Sequence, residues 1–219
     1  MARRRILVLG AGGLAREVKW LVEEMAAAGE PVEFAGYAVS DLSRIGAHDS
    51  LADVRGDLGW VRESRADFEG LALGIGTPAA RLKVSAELLP DFPEDWWPAL
   101  VHPSVRLDRR SARLAPGVLL CAGVVGTVNV DLQPFCMVNL ACTLGHEARI
   151  GRGSVLNPTV NISGGVVLEE GVLVGTGAQV LQYVTVGKGA TVGAGAVVTR
   201  DVAAGVTVVG MPAKPLSPR

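Results

Sequence analysis

From Leu114 to Val198 every sixth residue is aliphatic, with one exception. The series runs Leu114, Leu120, Gly126, Leu132, Val138, Leu144, Ile150, Leu156, Ile162, Leu168, Val174, Val180, Val186, Val192 and Val198. Four places after each anchor stands a small or β-branched residue, from Val118 and Val124 through Cys136, Cys142 and Ser154 to Ala196 and Val202. A helix repeats every 3.6 residues and a plain strand every 2, so neither yields a period of six. Period six marks a solenoid, in which each unit buries its apolar side against the next. Three hexads close one triangular coil of eighteen residues, so residues eighteen apart stack at one strand spacing, about 4.8 Å. The array amounts to about five coils with no long inserted loop. Hydrophobic residues make up 49% of the chain but aromatic ones only 5%, which suits narrow coils filled by Val, Ala and Leu.

The first 98 residues read differently. Arg5–Gly10 is a short apolar strand, and Gly10-Ala11-Gly12-Gly13 is a turn that opens a helix from about Ala15 to Ala27. Val18, Leu21, Val22 and Met25 fall at helical spacing. Val32–Val39 and Phe68–Ile75 are further strands, and a helix follows from about Pro78 to Leu89 with proline in its first turn. This alternation is a small α/β unit with a parallel sheet. The Pro- and Trp-rich stretch Asp91–Pro98 is the connector, and the solenoid proper is expected after His102-Pro103-Ser104. A glycine turn between strand and helix aims backbone N–H groups and the helix dipole at an anion. The spacing Gly-x-Gly-Gly-x-Ala differs from the dinucleotide fingerprint, and Val39 and Ser40 stand where an acidic residue would be needed. A phosphate-containing ligand fits this turn; NAD is not specifically indicated.

The formal net charge of −1 gives no basic surplus for nucleic acid. No apolar run approaches the roughly eighteen residues of a membrane span. The start MARRRILVLGAGGLA has three arginines and an apolar run, but it leads through a glycine turn into a helix with no small-x-small cleavage site. It reads as a buried first strand, and the expected location is cytoplasmic. Cys121, Cys136 and Cys142 match no zinc spacing, and an odd number argues against a disulfide framework. They are expected to be buried structural thiols.

The phase of the repeat places the polar residues. His146 lies two positions past anchor Leu144, at a corner and pointing outward, with Glu147 beside it. Gly164 is eighteen residues later, directly beneath His146. Asn139, Asn157, Gly175 and Gly193 form a second column, and Pro158, Thr176 and Ala194 a third beside it. A titratable base above a glycine N–H that can be approached closely is what acyl transfer needs. His146 is the only histidine of the array; His48 falls in the first domain and His102 at the junction. The chemistry is expected along one edge of the solenoid, to be completed by a neighbouring subunit.

Gly145-His146-Glu147-Ala148-Arg149-Ile150-Gly151, the run Ile162-Ser163-Gly164-Gly165 and the tail Val208-Val209-Gly210-Met211-Pro212-Ala213-Lys214 resemble hexapeptide-repeat acyltransferases. Gly10-Ala11-Gly12-Gly13-Leu14-Ala15-Arg16-Glu17-Val18 and Gly74-Ile75-Gly76…Arg81 narrow the resemblance to the sialic acid O-acyltransferase-like group. That group includes bacterial nucleotide-aminosugar N-acetyltransferases acting on 4-amino-4,6-dideoxy sugars. The resemblance covers nearly the whole chain. It implies an α/β N-terminal Rossmann-like domain (residues 1–98) followed by a left-handed parallel β-helix domain (residues 99–219). It further implies acetyl-CoA as co-substrate with no metal, a nucleotide-sugar acceptor from bacterial surface glycan biosynthesis, and a homotrimer with sites at subunit interfaces. His146 matches the catalytic base and Glu147 the acid that increases its basicity. Gly164, Thr176, Ala194 and Lys214 match the acetyl-CoA side. Gly12, Gly13, Leu14, Ile75 and Asn139 match the acceptor side.

Three positions depart from the group. Leu14 stands where histidine usually follows the glycine turn. Val39 and Ser40 replace a pair of aspartates, and Val155 replaces a histidine nine residues after the base. The nucleotide is therefore open, as is N- against O-acetylation of a sugar. A non-catalytic sugar-nucleotide-binding solenoid is the remaining alternative. A metal-dependent hydratase on this fold needs three histidines, and the array has one.

Overall fold

The computed structural model describes residues 3–44 and 51–216; His48 lies outside them. Strands β1 (Arg4–Leu9), β2 (Val32–Val39), β3 (Val54–Asp57) and β4 (Gly70–Leu73) form a parallel sheet in the order β3-β2-β1-β4. The run Ile6-Leu7-Val8-Leu9 is apolar throughout because both faces of the sheet are covered. Helix α1 (Gly13–Ala27) buries Ala15, Val18, Leu21, Val22 and Met25 against Ile6, Val8, Tyr37 and Ala72. Helices α2 (Leu58–Glu63) and α3 (Pro78–Leu88) bury Leu58, Val61, Val84 and Leu88 with Leu7, Leu9, Ala38 and Leu73 on the other face.

Helix α1 starts at Gly13, two residues before the expected Ala15. Gly12 is its extended N-cap and supplies no side chain to bond the first turn. Strand β3 and helix α2 escape sequence reading because each is too short to display a period. What starts α2 is a cap: Asp57 Oδ1 accepts from Gly59 N at 2.9 Å and Trp60 N at 3.0 Å.

The hexads form a left-handed parallel β-helix. Each hexad contributes a two-residue strand with the anchor second, and partners pair in parallel eighteen residues apart, as Met137↔Val155 and Thr143↔Asn161. Three flat faces result. Face I carries Leu119–Leu120, Met137–Val138, Val155–Leu156, Leu173–Val174 and Thr191–Val192; face II runs from Val125–Gly126 to Val197–Val198; face III runs from Arg113–Leu114 to Thr185–Val186. The anchors from Leu120 to Val198 are buried apart from Gly126, and every small-residue position from Val118 to Val202 is buried too. Leu114, in the first described strand of face III, stays 36% exposed.

The solenoid begins earlier than expected. β5 (Leu100–Val101) already pairs with Leu119–Leu120 on face I. Its register is nineteen residues rather than eighteen, so it is out of phase with the hexads. At the other end Thr191 pairs with Thr207 across sixteen residues, where the final coil is two residues short.

The first domain docks on face I. The residue before each anchor points outward, and on face I the first three of these, Leu119, Met137 and Val155, are buried in one cluster with α1, with Leu173 packed at its edge. Arg81 pins the joint from the other side. Its guanidinium is fully buried; Nε donates to Phe135 O at 2.9 Å, and Nη1 to Leu73 O and Ile75 O at 3.1 and 2.8 Å. Burial lowers its pKa to about 10, which still leaves the group charged at neutral pH.

All three cysteines are free and buried. Burial raises Cys121 and Cys136 to about 12 and Cys142 to about 11. The thiolate is the reactive form, so native protein at pH 7.5 should consume almost no Ellman's reagent, while protein in guanidinium should release three equivalents. Rapid reaction of one thiol in native protein would contradict this burial.

Candidate active site

His146 and Glu147 lie in the corner between face II (Thr143–Leu144) and face III (Arg149–Ile150). Glu147 has left-handed backbone, φ 60°, and its N–H donates to Val128 O, which swings both side chains away from the coil. The His146 and Glu147 side chains are 53% and 60% exposed. His146 Nδ1 lies 3.7 Å from Glu147 Oε2, within ion-pair reach and just beyond a hydrogen bond. Such contacts tighten in a substrate complex.

The imidazole does not extend freely into solvent; it lies across Gly164. A Cβ built on Gly164 would run into Nε2 and Cε1 of His146 and come within 2.8 Å of Cδ2. Glycine is required here by the ring above it. The Gly164 N–H has no hydrogen-bond partner among the described residues, whereas its carbonyl accepts from Tyr183 N at 3.0 Å. A free backbone donor and a ring nitrogen thus share one small patch.

The other candidate residues are elsewhere. Asn139, Asn157, Thr176 and Ala194 lie in the corner between faces I and II, not on the edge that carries His146. The expected single edge is therefore two edges, one face apart. Thr176 follows His146 by thirty residues, twelve more than one coil, and that count is the signal that distinguishes the corners. Thr176 and Ala194 are exposed, and Gly195 N–H donates to Thr176 O. Asn139 is 7% exposed, with Oδ1 accepting from Leu140 N at 2.7 Å. The tail crosses to this same corner: Ala213 N–H donates to Val197 O, and Lys214 pairs with Val209 with its side chain exposed.

The first domain contributes a cleft of about 270 Å³ at the carboxyl ends of β1, β2 and β4, lined by Gly10, Val39, Ser40, Asp41 and Ile75 among others. This is where ligands bind in open parallel sheets. Gly10 (φ +118°) lets the β1 and β4 loops touch, since a Cβ there would sit 2.7 Å from Gly74 O. Ile75 lines the cleft. Gly12, Gly13 and Leu14 form the start of α1 beside it, with the Leu14 side chain against Gly76. Leu14 and Leu140 pack on the same apolar cluster, so the turn that opens α1 and the Asn139 corner border one cluster. His102 takes no part: its Nδ1 is 2.8 Å from Ser104 Oγ, and its ring faces Trp20. No group of three or more His, Cys, Asp or Glu arranged to hold a metal occurs among the described residues. No helix among them is long and apolar enough to cross a membrane.

Residues 165–200 match the bacterial transferase hexapeptide (six repeats) family. A 74-residue stretch is 47% identical to a 2,3,4,5-tetrahydropyridine-2,6-dicarboxylate N-acetyltransferase of Staphylococcus carnosus, covering 33% of this chain and 31% of that protein. The chain thus spans about a third of the length of the curated relatives it matches. Likeness to solved structures is far more extensive. A mutant of perosamine N-acetyltransferase from Caulobacter crescentus, in complex with CoA and GDP-perosamine, superposes with TM-score 0.84 at 28% identity over 97% of both chains. The acetyltransferase domain of PglB from Neisseria gonorrhoeae, in complex with acetyl coenzyme A, superposes with TM-score 0.84 at 28% identity over 98% of this chain and all of that one. The repeat and the two-domain architecture are similar to those of hexapeptide-repeat transferases. From end to end the chain is similar in fold to these two structures, one a sugar N-acetyltransferase and the other an acetyltransferase domain.

Proposed function

We propose that the protein transfers the acetyl group of acetyl-CoA to the amine of a nucleotide-linked amino sugar, of the 4-amino-4,6-dideoxy hexose type used in bacterial surface glycans. The observation that carries this reading is His146 lying on Gly164, with a free N–H beside the ring nitrogen. The thioester carbonyl would accept from the Gly164 N–H, and the acceptor amine would attack the carbonyl carbon. His146 takes the proton, Glu147 steadies the imidazolium, and the CoA thiolate leaves. The two full-length relatives support the donor and the acceptor class, since one is bound to CoA and GDP-perosamine and the other to acetyl coenzyme A.

The two-corner arrangement supports assembly from more than one copy. His146, Glu147 and Gly164 would come from one subunit, and Thr176, Ala194 and Lys214 from the facing corner of the next, with acetyl-CoA between them. A cyclic homotrimer brings unlike corners together in this way. The acceptor would reach the seam from the cleft beside Gly12, Gly13, Leu14 and Ile75, passing Asn139. Val39, Ser40 and Asp41 border that cleft, which has one acidic lining residue rather than a pair, so polar recognition of the nucleotide there would rest on Ser40, Asp41 and backbone groups.

The test is release of CoA thiol with a panel of UDP-, GDP- and dTDP-linked 4-amino sugars, with sialic acid as hydroxyl acceptor. Turnover of an amino sugar nucleotide is expected. Turnover of sialic acid alone would move the assignment to O-acetylation, and failure to bind acetyl-CoA at all would remove it.

A further inference from the structure

The third residue after each anchor from Leu114 to Val192 has left-handed backbone, and glycine usually occupies it, as at Gly117, Gly153, Gly165, Gly177 and Gly195. Only two aromatic side chains stand at this place among the described residues, Phe135 (φ 61°) and Tyr183 (φ 60°). Such a conformation costs free energy in an aromatic residue and persists where something compensates for it. Phe135 has that compensation within the chain: it is 1% exposed and packs edge-on against Trp97 at 5.1 Å. Tyr183 is 69% exposed and makes no contact with another aromatic ring among the described residues.

Its position is informative. The ring lies along Gly165, where a Cβ would come within 2.5 Å of Cε1 and 3.4 Å of Cγ. The imidazole of His146 covers Gly164 from the preceding coil, and the phenol of Tyr183 covers Gly165 from the following one. Two rings therefore flank two consecutive glycines, about 3.8 Å apart at Cα. The backbone N–H of Tyr183 also donates to Gly164 O, which fixes the Gly164–Gly165 peptide, the one that follows the free Gly164 N–H.

We propose that Tyr183 is a positioning residue for the acyl donor, its exposed ring forming the wall along which the thioester-bearing arm of CoA lies. The proposal rests on the acetyl-transfer reading above. With the thioester carbonyl at Gly164 and the rest of the donor against Thr176 and Ala194 of the next copy, the arm must pass the coil that holds Tyr183. Rotation about an axis parallel to the solenoid keeps equal coils level, so Tyr183 of one copy faces the level of Thr176 in the next. A flat, rigid ring there holds a flexible chain at low entropic cost.

Titration of full-length Tyr183→Gly and Tyr183→Phe with acetyl-CoA by calorimetry tests this, alongside thermal midpoint and solution mass. Glycine suits the backbone at this place, so Tyr183→Gly should melt no lower than wild type and keep its mass. It should bind acetyl-CoA about tenfold more weakly, with KM for acetyl-CoA raised and KM for the acceptor unchanged. Tyr183→Phe should bind within about twofold of wild type. Equal binding by Tyr183→Gly overturns the proposal and leaves the acetyl-transfer reading standing. Loss of mass alongside weak binding overturns it too, in favour of a subunit contact. If wild type itself binds no acetyl-CoA, both readings fall.

Discussion

His146→Ala lowers turnover by about 10²- to 10⁴-fold, the range contributed by a positioned general base, and leaves acetyl-CoA affinity within a few-fold of wild type. The side chain is 53% exposed and no buried group depends on it, so the variant should fold and melt as wild type. Single-turnover rates with saturating acetyl-CoA and an amino sugar nucleotide give the comparison, and calorimetry gives the affinity. Near-normal turnover in the variant would remove His146 from the chemistry and with it the argument from the Gly164 column.

Gly164→Ala should reduce turnover by about 10²- to 10³-fold, the cost of losing one oxyanion donor, without unfolding the coil. The added methyl meets the His146 ring first, and an exposed side chain can rotate into solvent. The base and the N–H then no longer share one patch. Gly145→Ala is the informative contrast. Its methyl would meet backbone, with Ser163 C at 2.6 Å and Gly164 Cα at 2.9 Å, and backbone cannot step aside within a close-packed coil. That variant should lose stability as well as activity. If Gly164→Ala instead turned over normally at an unchanged melting temperature, the ring-on-glycine contact would have no catalytic meaning.

Much of this molecule is legible in the chain because a solenoid repeats. The anchors and the small-residue positions occupy the same two places in every hexad, and burial follows that phase from Val118 to Val202. Placing Gly164 under His146 needs nothing more than a count of eighteen. The same regularity misled where it stopped: Leu100–Val101 joins face I one residue out of phase and escapes a search for sixes. The irregular first domain was less legible. A four-residue strand (Val54–Asp57) and a six-residue helix (Leu58–Glu63) carry too few residues to reveal a period, and only the Asp57 cap marks the boundary between them.

The candidate site divides in the same way. Column membership was readable, but the division of His146 and Thr176 between two corners emerges only when the columns are assigned to faces. The docking of the first domain also left a trace in the sequence. Outward residues on face I run Leu119, Met137, Val155 and Leu173 in succession, whereas faces II and III mix Thr143, Asn161, Arg149 and Asp131 with valines such as Val125 and Val167. A contiguous outward apolar row marks a docking face, and α1 covers it.

By itself, the sequence determines the β-helix, its coil size and the stacking of His146 on Gly164, because each depends only on spacing along a uniform repeat. Tertiary structure alone decides that the imidazole lies across the glycine, that Arg81 ties the end of β4 and the Ile75 loop to the β-helix, and that the His146 and Thr176 columns occupy different corners. These depend on where rings, carbonyls and corners meet in space. Residues distant in the chain come together there through packing, for which no local period exists.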